Sequence, residues 1–128
     1  MESFRQTLNN LREGAELASQ QDLNVLTLTG LVGLFELCFE QAWKVMKKVL
    51  QREGFLEARS GSPTTIIKLA FREGLIRDET AWLAMLDDRR LGVRTYNEVV
   101  ALDVADAIPQ YARLFEQLQN ELDSRWRG

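Results

Sequence analysis

Apolar positions recur at spacings of three and four along most of the chain, and strand-like alternation is absent. Phe4, Leu8, Leu11, Ala15 and Ala18 fall on one stripe and predict a first amphipathic helix. The polar run "SQQDLN" (19–24) interrupts it. A long second helix is predicted from about Leu23 to Arg52, with Leu28, Leu31, Phe35, Cys38/Phe39, Ala42, Met46 and Val49 on its apolar side. At 1.5 Å per residue such a helix spans roughly 45 Å. Glu40, Lys44, Lys48 and Arg52 repeat every four residues and form a ladder on the polar side.

Glycine, proline and short polar residues divide the remainder of the chain. Gly54 reads as a left-handed cap with Phe55 folding back over the last turn, and "ARSGS" (58–62) reads as a loop. Ser62-Pro63 supplies an N-cap and a first helical residue, predicting a short helix to about Glu73, stopped by Gly74. Asp78 can cap a fourth helix whose apolar side is Trp82, Leu83, Met85 and Leu86. Thr95 and Glu98 have the spacing of a capping box for the last helix. Its stripe runs Ala101, Val104/Ala105, Ile108, Tyr111/Ala112, Phe115, Leu118 and Leu122. Pro109 lies inside that stripe and is expected to kink the helix by freeing the carbonyl of Ala105. Arg-Glu-Gly occurs at 12–14, 52–54 and 72–74, but the flanks differ and the triplets do not mark a repeat. The pattern predicts an all-α protein, an up-and-down bundle of four to five helices with one long second helix, in a single domain over 1–128.

Composition narrows the chemistry. The net charge is −3, so a broad basic surface for duplex nucleic acid is not expected and any nucleotide contact must be local. The chain has no histidine and one cysteine, which excludes zinc sites built on His or Cys and nucleophile–histidine pairs. "GSPTT" lacks the Gly-Lys-Ser/Thr ending of a phosphate-binding loop. No cofactor and no metal are therefore expected. Cys38, in an apolar run, reads as a buried thiol in a reducing compartment. The first residues hold no apolar signal segment, and Glu36 and Glu40 break the longest apolar run, so the expectation is a cytoplasmic protein without a membrane span. The pairs Glu36/Glu40 and Asp87/Asp88 read as solvated or ion-paired. Trp43, Trp82 and Trp126 could stack bases, but their helical spacing favours core or interface positions.

One stretch is denser in chemistry than the rest. "DDRRLGVRTYNE" (87–98) places two aspartates, three arginines and a tyrosine within ten residues. Arg89, Arg90 and Arg94 offer forks of donors that suit phosphate oxygens, close to the N-terminal dipole end of the last helix. The alternative is a charged turn in which Asp87 and Asp88 pair with the arginines and Tyr96 packs.

The segments "FELCFEQAWKVMKKVLQREG" (35–54), "SPTTIIKLAFREGLI" (62–76) and "TAWLAMLDDRRLGVRTYNE" (80–98) resemble, in that order, the nucleotidyltransferase substrate-binding proteins, also called HEPT-domain proteins. The resemblance implies a helical bundle that forms a homodimer and binds a minimal nucleotidyltransferase, often as a toxin–antitoxin pair. In toxic members it implies a metal-independent ribonuclease with an Arg, four residues, His, one residue, Tyr motif, silenced by AMP transfer to the tyrosine. On this chain the motif falls on Arg89, Arg94 and Tyr96, with Arg94 at the histidine position. Histidine can take and return a proton near neutral pH, whereas a guanidinium stays protonated and cannot serve as a base. The expectation is a partner-binding subunit that contacts nucleotide or RNA phosphate through Arg89, Arg90 and Arg94, with weak or no ribonuclease activity. The alternative is a ribonuclease toxin neutralised at Tyr96.

Overall fold

The computed structural model describes residues 2–20, 24–94 and 98–126; the side chains of residues 2, 90–94, 98–100 and 126 lie outside that description. The protein is an all-α bundle: α1 (Glu2–Ser19), α2 (Val25–Arg52), α3 (Pro63–Arg72), α4 (Glu79–Arg94) and α5 (Glu98–Trp126). A single 3₁₀ turn, Leu56–Ala58, comes after α2. The described residues contain no strand.

Helix ends obey local side-chain chemistry. The cap of α2 is Asn24, whose side-chain oxygen accepts from the Thr27 N–H at 2.8 Å. The helix thus begins slightly later than the stripe suggested, and Leu23 lies outside the described residues. Gly54 and Gly74 adopt φ of 92° and 77°, the left-handed region where a Cβ is costly. The N–H of Phe55 then reaches back to the Leu50 carbonyl, and that of Leu75 to Ala70, at 3.1 and 2.8 Å. Both helices end in this wrapped-back form because glycine permits the turn. Ser62 caps α3 and Asp78 caps α4 through bonds to the N–H groups of Thr65 and Ala81. The expected cap of α5 falls on Thr95, outside the described residues. That helix continues through Pro109, which sits at an exposed position.

The stripes meet in one connected core. α2 touches all four other helices, and its buried residues are Leu28, Leu31, Phe35, Cys38, Phe39, Ala42, Met46, Val49 and Leu50. Aromatic rings tie the layers at the centre. Trp82 meets Phe115 edge-on at 5.7 Å and Phe39 at 6.2 Å, while Phe35 stacks on Tyr111 at 5.2 Å. Burial pushes the Cys38 thiol up to about 12, with only a small opposing pull from Arg12. By length and composition α2 could cross a membrane; nine of its residues are buried in this core, while Val25, Leu26 and Leu37 are exposed.

Far along the chain, Arg125 closes one end of the bundle. Its Nη1 donates to both oxygens of Glu53 at 2.7 and 3.1 Å, and Nη2 to the Glu73 carbonyl at 3.1 Å. Glu53 and Glu73 are the C-cap residues of α2 and α3.

Candidate functional site at the junction of α2 and α4

The sequence predicted the charged stretch to lie between helices. Instead α4 runs on to Arg94, so Arg89 stands more than a turn inside it. From Arg89 to Arg94 the helix rises about 7.5 Å. The side chains of Arg90 and Arg94, and Tyr96 altogether, lie outside the described residues.

Arg89 is described, and it faces α2. Its Nη2 donates to Glu40 Oε2 at 2.6 Å across 49 residues of sequence. The same oxygen accepts from the Trp43 indole N–H at 3.2 Å, and Lys44 Nζ stands 3.3 Å from Oε1. Three donors therefore converge on one carboxylate. Burial works to raise the Glu40 pKa, but these bonds and the positive charges of Arg89 and Lys44 outweigh it and hold the group below its ordinary value. Glu36, one turn earlier, goes the other way: burial raises it, and the Arg89 charge offsets this only in part. Arg89 Nε is buried and has no hydrogen-bond partner.

Asp88, the preceding residue, is tied elsewhere. It accepts a hydrogen bond from the Tyr111 hydroxyl on α5. Burial, then this bond and the nearby aspartates, push the Tyr111 hydroxyl well above its ordinary range. The charged-turn reading thus needs correction for the described residues: the arginine partner is Glu40 on a different helix, and Asp88 pairs with a tyrosine. Two participants were not foreseen in these roles. Glu40 was read as a rung with Lys44 and as one of a solvated or ion-paired carboxylate pair, without Arg89 as its partner, and Tyr111 only as an apolar stripe position.

Trp82 is core, while Trp43 is half-buried and hydrogen-bonded in this junction. Among the described residues no three acidic or thiol side chains gather as a metal ion would require.

The pieces brought together here come from two of the sequence segments singled out above: Phe35, Glu36, Phe39, Glu40, Trp43 and Lys44 from one, Trp82, Asp88 and Arg89 from the other. A family model described as "Nucleotidyltransferase substrate binding protein like" matches residues 1–124. The chain belongs to this family. A Haemophilus influenzae protein described as "Probable ribonuclease HepT" is 30% identical over 98 residues, which is 72% of this chain and 67% of that relative. Among solved structures, a Thermus thermophilus protein superposes with a TM-score of 0.81 at 36% identity, covering 93% of this chain and 98% of its own. A Haemophilus influenzae protein, whose structure was described as revealing the fold of a substrate-binding domain of a nucleotidyltransferase, superposes with a TM-score of 0.84. At 22% identity, with 94% and 96% of the chains covered, that likeness concerns the fold.

Proposed function

We propose that this chain is a substrate-binding subunit that works with a separately encoded minimal nucleotidyltransferase. The family match over residues 1–124 carries the reading. The bundle acts as one domain over 1–128, as a cytoplasmic homodimer. Exposed Leu17, Val25 and Leu26, beside Gly14 and Gly30 at the meeting of α1 and α2, offer apolar surface for the second copy. Arg89, Arg90 and Arg94 hold a nucleotide or RNA phosphate by charge-assisted hydrogen bonds. Tyr96 is the acceptor of AMP: its phenolic oxygen attacks the α-phosphorus of an ATP supplied by the nucleotidyltransferase. The new P–O bond replaces the α–β phosphoanhydride bond, pyrophosphate leaves, and the phenolic proton goes to solvent. Arg94 can hold charge but cannot move a proton as a histidine would, so ribonuclease activity is weak or lost.

The test is co-expression with the nucleotidyltransferase encoded beside this chain, then purification and intact-mass measurement. Stable co-purification is expected, with a mass gain of one or more adenylyl units that disappears in Tyr96→Phe. The absence of both a complex and a mass change overturns the reading. A second reading, a metal-independent ribonuclease toxin neutralised by AMP transfer to Tyr96, draws support from the Haemophilus influenzae relative described as a probable ribonuclease. It requires RNA cleavage by the purified chain that is lost in Arg89→Ala.

A further inference from the structure

Glu40 and Arg89 are unequally held. Glu40 receives Arg89 and Trp43 on Oε2 and Lys44 on Oε1. If Arg89 withdraws, two donors still hold the carboxylate. Arg89 has the reverse condition: among the described residues its guanidinium head is held by the Nη2 bond to Glu40, with the Glu36 charge nearby, and its Nε has no partner. The pair is therefore built to open from the arginine side. It is also accessible, since the Arg89 and Glu40 side chains are 30% and 28% exposed. That places the contact between a weak surface pair and a sealed one, in reach of an incoming anion. A phosphate oxygen seeks the same guanidinium N–H groups that a carboxylate oxygen occupies.

We propose that Glu40 is a built-in competitor for phosphate at Arg89. It holds the guanidinium in the unliganded protein and yields it when a nucleotide or polynucleotide phosphate arrives, so that its charge sets the affinity of the site. This rests on the phosphate-binding reading of Arg89 given above. Trp43 reports the exchange, because its indole N–H shares Glu40 Oε2 with Arg89.

The experiment is fluorescence anisotropy with a labelled single-stranded RNA oligonucleotide, and competition by ATP, on the full chain and on Glu40→Gln, Arg89→Ala and the double variant. Glutamine keeps the length of the side chain, and its one carbonyl oxygen can still accept from the Trp43 indole N–H, while the charge and the second acceptor facing Lys44 are removed. Glu40→Gln is expected to bind roughly fivefold tighter, a change within reach of one partly exposed ion pair. The double variant should bind no better than Arg89→Ala. In the wild type, saturation should shift tryptophan emission, and Trp43→Phe should abolish that shift; this arm does not depend on the glutamine variant. Tightening for RNA alone identifies a polynucleotide ligand, and tightening for ATP as well identifies a nucleotide phosphate. Equal or weaker binding by Glu40→Gln beside a binding-deficient Arg89→Ala overturns the competitor role and leaves phosphate binding standing. So does emission that stays fixed at saturation. If Arg89→Ala binds both probes as the wild type does, or no variant binds either, phosphate binding at Arg89 itself falls.

Discussion

Asp88 and Arg89 are neighbours in α4, yet their side chains leave the helix for different partners and different physical surroundings. Asp88 ends on Tyr111, a buried ring stacked on Phe35 in the core. Arg89 ends on Glu40, where both partners keep contact with water. Asp88, Arg89 and Glu40 are all half-buried. A hydrogen bond to a charged group contributes about 1.5–3 kcal/mol, whereas an ion pair whose partners both keep contact with water contributes about 0.2–1 kcal/mol. The first contact fixes where α4 sits against α5. The second costs little to break and so can change partners. Adjacent residues can thus divide structural and adjustable work between them.

The largest blow to this contrast would come from beneath both contacts. Trp82 packs on Phe39 of α2 and Phe115 of α5, so Trp82→Ala should remove about 3–5 kcal/mol in chemical denaturation and loosen both sides together. Next comes Tyr111→Phe, which keeps the stacked ring and deletes the donor. It leaves the part-buried Asp88 carboxylate short of a partner and should cost about 1–3 kcal/mol. Arg89→Ala should cost less, below about 1 kcal/mol in the same assay. Equal losses in the two variants would erase the distinction between the contacts.

Titration separates the two contacts further. The Tyr111 hydroxyl and the Cys38 thiol are acids whose folded pKa values are raised, so the native state keeps protons that the unfolded chain releases. Their stabilising contribution is complete below the ordinary values of 9.0 for the thiol and 10.0 for the hydroxyl, and is lost as pH rises through the raised ones. Tyr111→Phe should therefore flatten the alkaline limb of a pH–stability curve; an unchanged limb would contradict this. The smallest effect belongs to the half-buried junction. Glu40 is depressed, so its contribution is present above the ordinary value of 4.5 and lost as pH falls through the lowered one. Glu36 is raised and acts with the opposite sign, favouring the native state more as pH drops. Glu40→Gln should therefore reduce the loss of stability on acidification, and Glu36→Gln should increase it.

Why the fold was readable and the junction only half so is a matter of the range of the forces involved. A stripe such as Leu28, Leu31, Phe35 and Phe39 is written at the helical period and needs no knowledge of its partner. Caps at Ser62 and Asp78, and the glycines at 54 and 74, act within a few residues and were equally plain. The 3₁₀ turn was missed because exposed Leu56 and buried Ala58 carry no period to recognise. Arg89 could be singled out by its donor chemistry, but its partner stands 49 residues away and is chosen by how α4 lies on α2. Glu40 did show its Lys44 neighbour, one turn away, which is the part of its surroundings that local spacing can reveal. Tyr111 hid its polar end inside an apolar stripe, as amphipathic side chains do.

The clasp made by Arg125 has a consequence for the order of events during synthesis. It joins residues 72 and 52 positions earlier, the negatively charged end of α2 and the last carbonyl of α3. A nascent chain leaving the ribosome can collapse α1 to α4 onto one another as they appear, but the ends of α2 and α3 must wait uncapped by this cation until α5 has emerged to its final turns. Emergence of the last turns of α5 therefore sets the earliest moment at which this fastening can form, after the segments that become α2 and α3 have left the ribosome.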